Sequence, residues 1–239
     1  NQADRFGMSS RHAGGLVDIG LNIGKAVGGV IVGTGAGHDA DIERAMPAFH
    51  RKSRQCRSKT ILPHLWLFTD ERVADDILLN SIMRLPYGSG IVFRHYQSDR
   101  DRRHSLFKKV CAAAKQRGIT VLLADSPHRA AKWQAGGCHL GSAAAARRSK
   151  PALIRSASAH NLREVARANR MGVDLLFLSP VFPTRSHPGG RALGSMRFAA
   201  LARHARMPVI ALGGMTASRF RRMKPLGTYG WAAIDALTG

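Results

Sequence analysis

Acidic residues are scarce in this chain. Fifteen Asp and Glu stand against 37 Lys and Arg over 239 residues, a formal net charge of +22. After Asp101 only Asp125, Glu164, Asp174 and Asp235 remain, so few carboxylates are left to hold a metal or act as a general base. Cysteine is also sparse. Cys56, Cys111 and Cys138 are too few and too scattered for a disulfide framework or a zinc cluster, and they read as reduced thiols of a cytosolic protein. Aromatics make up 6% of the chain. With the positive charge spread along helix faces and no stacking aromatics gathered beside it, nucleic-acid binding is the weaker reading. Such a field still attracts phosphates, including those on small metabolites. No run of about 18 uninterrupted apolar residues occurs, so no membrane span is predicted. The apolar stretch GLVDIGLNIGKAVGGVIVGTGAG, residues 15–37, is broken by Asp18, Asn22 and Lys25 and lacks the flanks of a secretory signal.

Hydrophobic residues reach 44%, enough for a substantial core. Two regions differ in kind. Residues 1–45 are rich in glycine and have no aromatic after Phe6, and HRKSRQCRSK (50–59) is basic without an acid. Residues 1–60 therefore read as an extension and basic linker outside the core. GTGAG (33–37) has no Lys-Ser/Thr after it and is not a phosphate loop.

From residue 65 short apolar runs alternate with segments of helical period. Strands are predicted at LWLFTD (65–70), SGIVFRHY (89–96), ITVLLAD (119–125), GCHLG (137–141), ALIRSASAH (152–160), VDLLFLSPVF (173–182), MPVIALGGM (207–215) and YGWAAIDAL (229–237). Helices fall between them, among them a short one over SAAAARRSK (142–150) and one over NLREVARANRMG with Asn161 and Gly172 as its caps. Eight such units predict an α/β fold, a compact (β/α)8 TIM barrel over residues 61–239. A doubly wound open sheet is the alternative. The chain stops just past the eighth run, so the final helix is predicted missing or truncated. That leaves an apolar flank for N-terminal residues or a partner, such as a second copy, to cover.

Barrel chemistry sits at the C-terminal strand ends. The polar residues there are Thr69, Asp70, Glu71, Arg94, His95, Asp125, His139, Ser158, His160, Ser179, Thr184, Gly213, Gly214 and Asp235. Two glycines in ALGGM, just before a helix, would expose backbone amides to an anion. The long stretch SPVFPTRSHPGGRALG (179–194) between the sixth run and its helix is predicted to be a cationic lid.

Taken together, LWLFTDE, the Ala124-Asp125 pair, GCHLG, SASAHNLREVARANRMGVDLLFLSPVFPT, MPVIALGGM and YGWAAIDAL resemble the thiamine-phosphate synthase/TenI family over roughly residues 65–237. The resemblance implies a TIM barrel and a cytosolic enzyme of thiamine biosynthesis. Its substrates would be thiazole phosphate, joined to hydroxymethylpyrimidine diphosphate with magnesium in the synthases or tautomerised by acid/base chemistry in TenI-like members. It also implies roles residue by residue. Arg94, Ser158 and His160 would be catalytic, with His160 in the SxH motif as the proton-transferring group. Gly213, Gly214, Thr184, His139, Arg185 and Ile234 would bind substrate and its phosphate, and Asp125 would be a magnesium ligand. Several positions depart from the family pattern: Tyr96 and His187 stand where lysines are expected, and GCHLGSAAAA carries no second carboxylate. Asp235 stands where a serine is expected. The thiazole-phosphate end is kept and the magnesium-diphosphate end is eroded, which favours a TenI-like or divergent synthase role. A barrel that binds without catalysis is the alternative, and a charge-driven nucleic-acid binder the more distant one.

Overall fold

The computed structural model describes residues 61–141, 153–185 and 189–238. The extension expected over 1–60 and the short helix expected over 142–150 lie outside the described residues. Eight parallel strands close into one barrel in chain order: β1 (Leu65–Phe68), β2 (Gly90–Phe93), β3 (Thr120–Leu123), β4 (Gly137–Leu140), β5 (Ile154–Ala159), β6 (Leu175–Leu178), β7 (Val209–Leu212) and β8 (Gly230–Ala233). Closure is made by β1 pairing with β8, Leu65 opposite Trp231 and Leu67 opposite Ala233. Outside lie α1 (Asp75–Arg84), α2 (Arg100–Gln116), α3 (Pro127–Lys132), α4 (Leu162–Met171), α5 (Gly194–Ala202), α6 (Ala217–Met223) and α7 (Asp235–Thr238). The predicted barrel is therefore the observed one, and the open sheet is excluded. No helix among the described residues is long and apolar enough to cross a membrane.

The strands are short because their last predicted residues turn out of the ladder. Alternate side chains fill the two sides of the sheet, so both faces are apolar. Trp66, Phe68, Val92, Leu122, Leu175, Phe177 and Ile210 pack inside the barrel, while Leu67, Ile91, Phe93 and Leu123 pack against the helices. Local sequence sets the helix ends. Asn161 accepts the Glu164 amide at 3.0 Å and the Glu164 carboxylate returns to the His160 amide at 2.7 Å, a reciprocal cap on α4. Gly172 ends that helix in the left-handed region, φ 59°. Ser126 caps α3, its hydroxyl accepting the Arg129 amide at 3.2 Å.

One correction concerns the end of the chain. The last strand stops at Ala233 and does not run to residue 237. The Ile234 carbonyl accepts the Leu237 amide at 3.0 Å and the Thr238 hydroxyl at 3.1 Å, which winds the segment into helix. Asp235 opens this turn of helix, α7.

Candidate active site

The C-terminal ends of all eight strands open on one face, and its floor is aromatic. Phe68 and Phe177 meet edge to face with centroids 4.8 Å apart, and the His139 ring stands 5.4 Å from one and 5.5 Å from the other. His139 lies on β4 and points inward. Its Nδ1 is 2.9 Å from Ser156 Oγ and its Nε2 is 3.2 Å from Ser158 Oγ, so both ring nitrogens are engaged. Burial, with a smaller push from the Arg94 charge, holds its pKa down to about 3. His139 is a neutral member of the floor, and of the expected catalytic residues it engages Ser158.

His160 stands at the rim, just past β5, and is exposed. Its Nδ1 lies 2.6 Å from the Ser179 carbonyl oxygen at the end of β6. A carbonyl only accepts, so Nδ1 carries the hydrogen and Nε2 presents its lone pair. Among the described residues nothing engages Nε2. The neighbouring strand ends are laced onto this point: the Val181 amide donates to the Leu212 carbonyl at 2.9 Å and the Phe182 amide to the Gly213 carbonyl at 3.1 Å. Gly213 (φ 92°) and Gly214 (φ 60°) must be glycines here. A Cβ on Gly213 would lie 2.8 Å from Pro180 Cα, and one on Gly214 2.5 Å from the Pro183 oxygen. Among the described residues neither glycine amide donates to the protein, while both carbonyls accept, that of Gly214 from Arg219. Two unengaged amides in a positive-φ turn suit an anion. Ile234 is 9% exposed with its side chain in the barrel interior, which leaves only its backbone for a phosphate.

The loop from Pro180 returns to its origin. Leu193 donates to the Pro180 carbonyl at 2.8 Å and Gly194 to the Val181 carbonyl at 2.9 Å, so its two ends are tied together. Arg185 reaches Asp235 at the start of α7, Nε to Oδ2 3.2 Å, with both side chains open to solvent. Thr184 lies between these anchors, and Arg191 is exposed on the returning arm.

At the opposite rim the carboxylates are taken by guanidinium groups. Asp70 receives Arg72 at both oxygens, 2.9 Å each, and Arg94 Nη2 at 3.0 Å. The Arg72 hydrogen bond leads in holding its pKa down to about 2. Burial alone would raise the pKa of Asp125; the Ser126 amide, Arg103 and Arg129 outweigh it, and the net shift is downward. Arg103 Nη1 is 3.0 Å and Arg129 Nη1 3.6 Å from Asp125 Oδ2, while Oδ1 accepts the Ser126 amide at 2.7 Å. A divalent cation needs several oxygen donors. Here both Asp125 oxygens are committed to donors, and no group of three or more His, Cys, Asp or Glu among the described residues could hold a metal. The expected magnesium ligand does not fit that role.

Arg103 was not visible as a site residue, because RDRRHS reads as the solvated start of a helix. Its side chain is 8% exposed and forks inward, Nε to the Arg94 carbonyl at 2.9 Å and Nη2 to the Ala124 carbonyl at 2.9 Å. Tyr96, in place of the expected lysine, lies with its ring 5.6 Å beneath the Arg103 guanidinium.

Residues 66–237 match a family model described as thiamine monophosphate synthase. An Aquifex aeolicus protein provisionally named thiamine-phosphate synthase 2 is 30% identical over 180 residues, covering 73% of this chain and 97% of that protein. A bifunctional thiamine biosynthesis protein of Geobacter sulfurreducens is 29% identical over 185 residues, 74% of this chain but 37% of that protein. A solved thiamine phosphate pyrophosphorylase from Pyrococcus furiosus superposes with a TM-score of 0.60 at 23% identity, covering 74% of this chain and 88% of that one. At that identity the likeness speaks for the barrel alone.

Proposed function

Because this chain belongs to the thiamine monophosphate synthase family and is an enzyme of thiamine biosynthesis, we propose that it tautomerises a thiazole phosphate in the cytosol, with His160 as the acid/base. The observation that carries this reading is the contrast between the two rims. One offers an oriented imidazole beside two unengaged amides; the other has its carboxylates neutralised by arginine.

The substrate phosphate is received by the Gly213 and Gly214 amides, with Arg185 and Thr184 above them. The flat heterocycle lies at the mouth above the floor that Phe68 and His139 form, with Phe177 buried beneath it. His160 Nε2 takes a proton from one carbon and returns it to another, so the product has the atoms of the substrate. The Ser179 carbonyl, accepting from Nδ1, supports the imidazolium while the proton is held. His139 and Ser158 shape the floor, and Arg94 presents a cation at the far edge. Nothing in this sequence of steps needs magnesium.

The test pairs two assays, thiazole isomerisation alone and synthesis from both synthase substrates with magnesium. His160→Gln should lower kcat of isomerisation by about 100-fold or more with KM little changed. Synthase product undiminished by that substitution would overturn the proposal. A divergent synthase is the second reading, favoured by the cluster of Arg94, Arg103 and Arg129 at the far rim, where a departing diphosphate would need positive charge.

A further inference from the structure

Arg94 is held in one pose by a device that its neighbours build. It is the first residue past β2, where a long side chain would ordinarily sample many rotamers. Here its Nε donates to the Thr69 carbonyl at 2.7 Å and its Nη2 to Asp70 at 3.0 Å. Its own amide donates to Thr69 Oγ1 at 2.9 Å, and its carbonyl accepts Arg103 Nε at 2.9 Å. The guanidinium centre lies 5.7 Å from the Phe68 ring centroid, over the floor. Among the described residues Nη1 has no hydrogen-bond partner, which leaves one edge of the fork for a ligand.

Two of those four bonds come from Thr69, which is fully buried. Thr69 in turn leans on His95. Its Oγ1 is 3.0 Å from His95 Nδ1. That oxygen also accepts the Arg94 amide, so the one hydroxyl links the His95 ring to the Arg94 backbone. The His95 ring is stacked flat on Phe93, centroids 4.7 Å apart and 5° from parallel. Two features of His95 have no local benefit. Its φ is 47°, in the region that favours glycine, and Nε2 is buried without a partner among the described residues. Glycine or asparagine would fill this turn with less strain. Such a conformation persists where its surroundings over-determine it, and it concentrates at working sites.

We propose that Thr69 and His95 are positioning residues: the stacked, strained imidazole fixes the Thr69 hydroxyl, and Thr69 fixes Arg94 so that Nη1 faces the far edge of the substrate. This takes from the proposed function only that Arg94 faces the substrate.

The experiment follows the arginine Nε–H signals by 1H–15N NMR, with Arg94→Lys identifying the Arg94 peak, in the full chain and in Thr69→Val, Thr69→Ser and His95→Gly. The unsubstituted protein should show a slowly exchanging Arg94 Nε–H that moves on titration with inorganic phosphate. Thr69→Val and His95→Gly should speed its exchange about tenfold or more and raise KM for thiazole phosphate about tenfold with kcat little changed. Thr69→Ser, which keeps the hydroxyl, should restore both. A Thr69→Val protein with the peak still protected and KM unaltered would overturn the proposal, as would a Thr69→Ser protein as impaired as Thr69→Val. Exchange is read without turnover. A protected, phosphate-responsive peak in a protein that does not isomerise thiazole phosphate would sink the functional reading and leave this one standing.

Discussion

Asp125 and Arg103 show how one residue can decide what a site does. An aspartate at the end of a barrel strand reads as a metal ligand, and its position was legible in the sequence. Its partner was not. Arg103 sits within RDRRHS, where period and polarity describe a solvated helix start, yet the side chain turns back under the strand ends. Removing one member of a largely buried, hydrogen-bonded pair strands the other. Arg103→Met should therefore cost about 3 kcal/mol of stability, read by denaturant unfolding at neutral pH. The same pairing makes the metal prediction concrete. Dialysis against EDTA should leave isomerisation within about twofold of its starting rate, and millimolar magnesium should not raise it. The thiols belong at this scale too. Burial pushes Cys111 and Cys138 up to about 11, so neither is a reactive thiolate near neutral pH.

The turn after β7 and the loop after β6 act as one element. Gly213 and Gly214 were read as amides exposed to an anion, and the structure adds a second reason for them: Pro180, Phe182 and Pro183 fill the space where their side chains would be. Gly213→Ala should displace the start of the loop. We expect a loss of about 1–3 kcal/mol in unfolding free energy and a higher KM for the phosphorylated substrate. The Arg185–Asp235 pair is exposed, so Asp235→Asn should barely move the thermal midpoint. A KM that changes with that substitution would show that the pair matters for substrate binding. The alternation of apolar runs and helical segments was enough to predict eight strands, because buried parallel strands have no polar face to hide them. It could not mark their ends. The residues that finish each predicted strand, such as Thr69, Arg94, Asp125 and His160, are the ones that leave the ladder for the mouth. In the last unit, periodicity could not see that the Ile234 carbonyl accepts the Leu237 amide and starts a helix.

At the scale of the whole molecule, the buried histidines tie stability to pH. His139 has its pKa held down to about 3 by burial, against 6.5 when exposed, and burial lowers that of His95 as well. Between the folded and unfolded values the unfolded chain binds a proton that the native barrel refuses, so stability falls as pH falls. The contribution is complete above pH 6.5 and is lost progressively on the way toward 3. For His139 its slope is about 1.4 kcal/mol per pH unit at mid-window. Asp70 adds to this in a lower window. Its carboxyl is held near 2 against 3.8 unfolded, so the stability it contributes is present above 3.8 and disappears as pH drops toward 2. The net charge of +22 works in the same direction, since protonating carboxylates removes the few negative charges that offset it. Urea unfolding at pH 7, 6, 5 and 4 should therefore give a steady decline that begins near 6.5, well above the range where carboxylates titrate. His139→Gln should start from a lower stability at pH 7, because the Ser156 and Ser158 hydroxyls lose the ring. It should also show a shallower decline between pH 6 and 4. An equal slope in the two proteins would mean that His139 takes up its proton in the native barrel, and the neutral floor beneath the substrate would have to be given up.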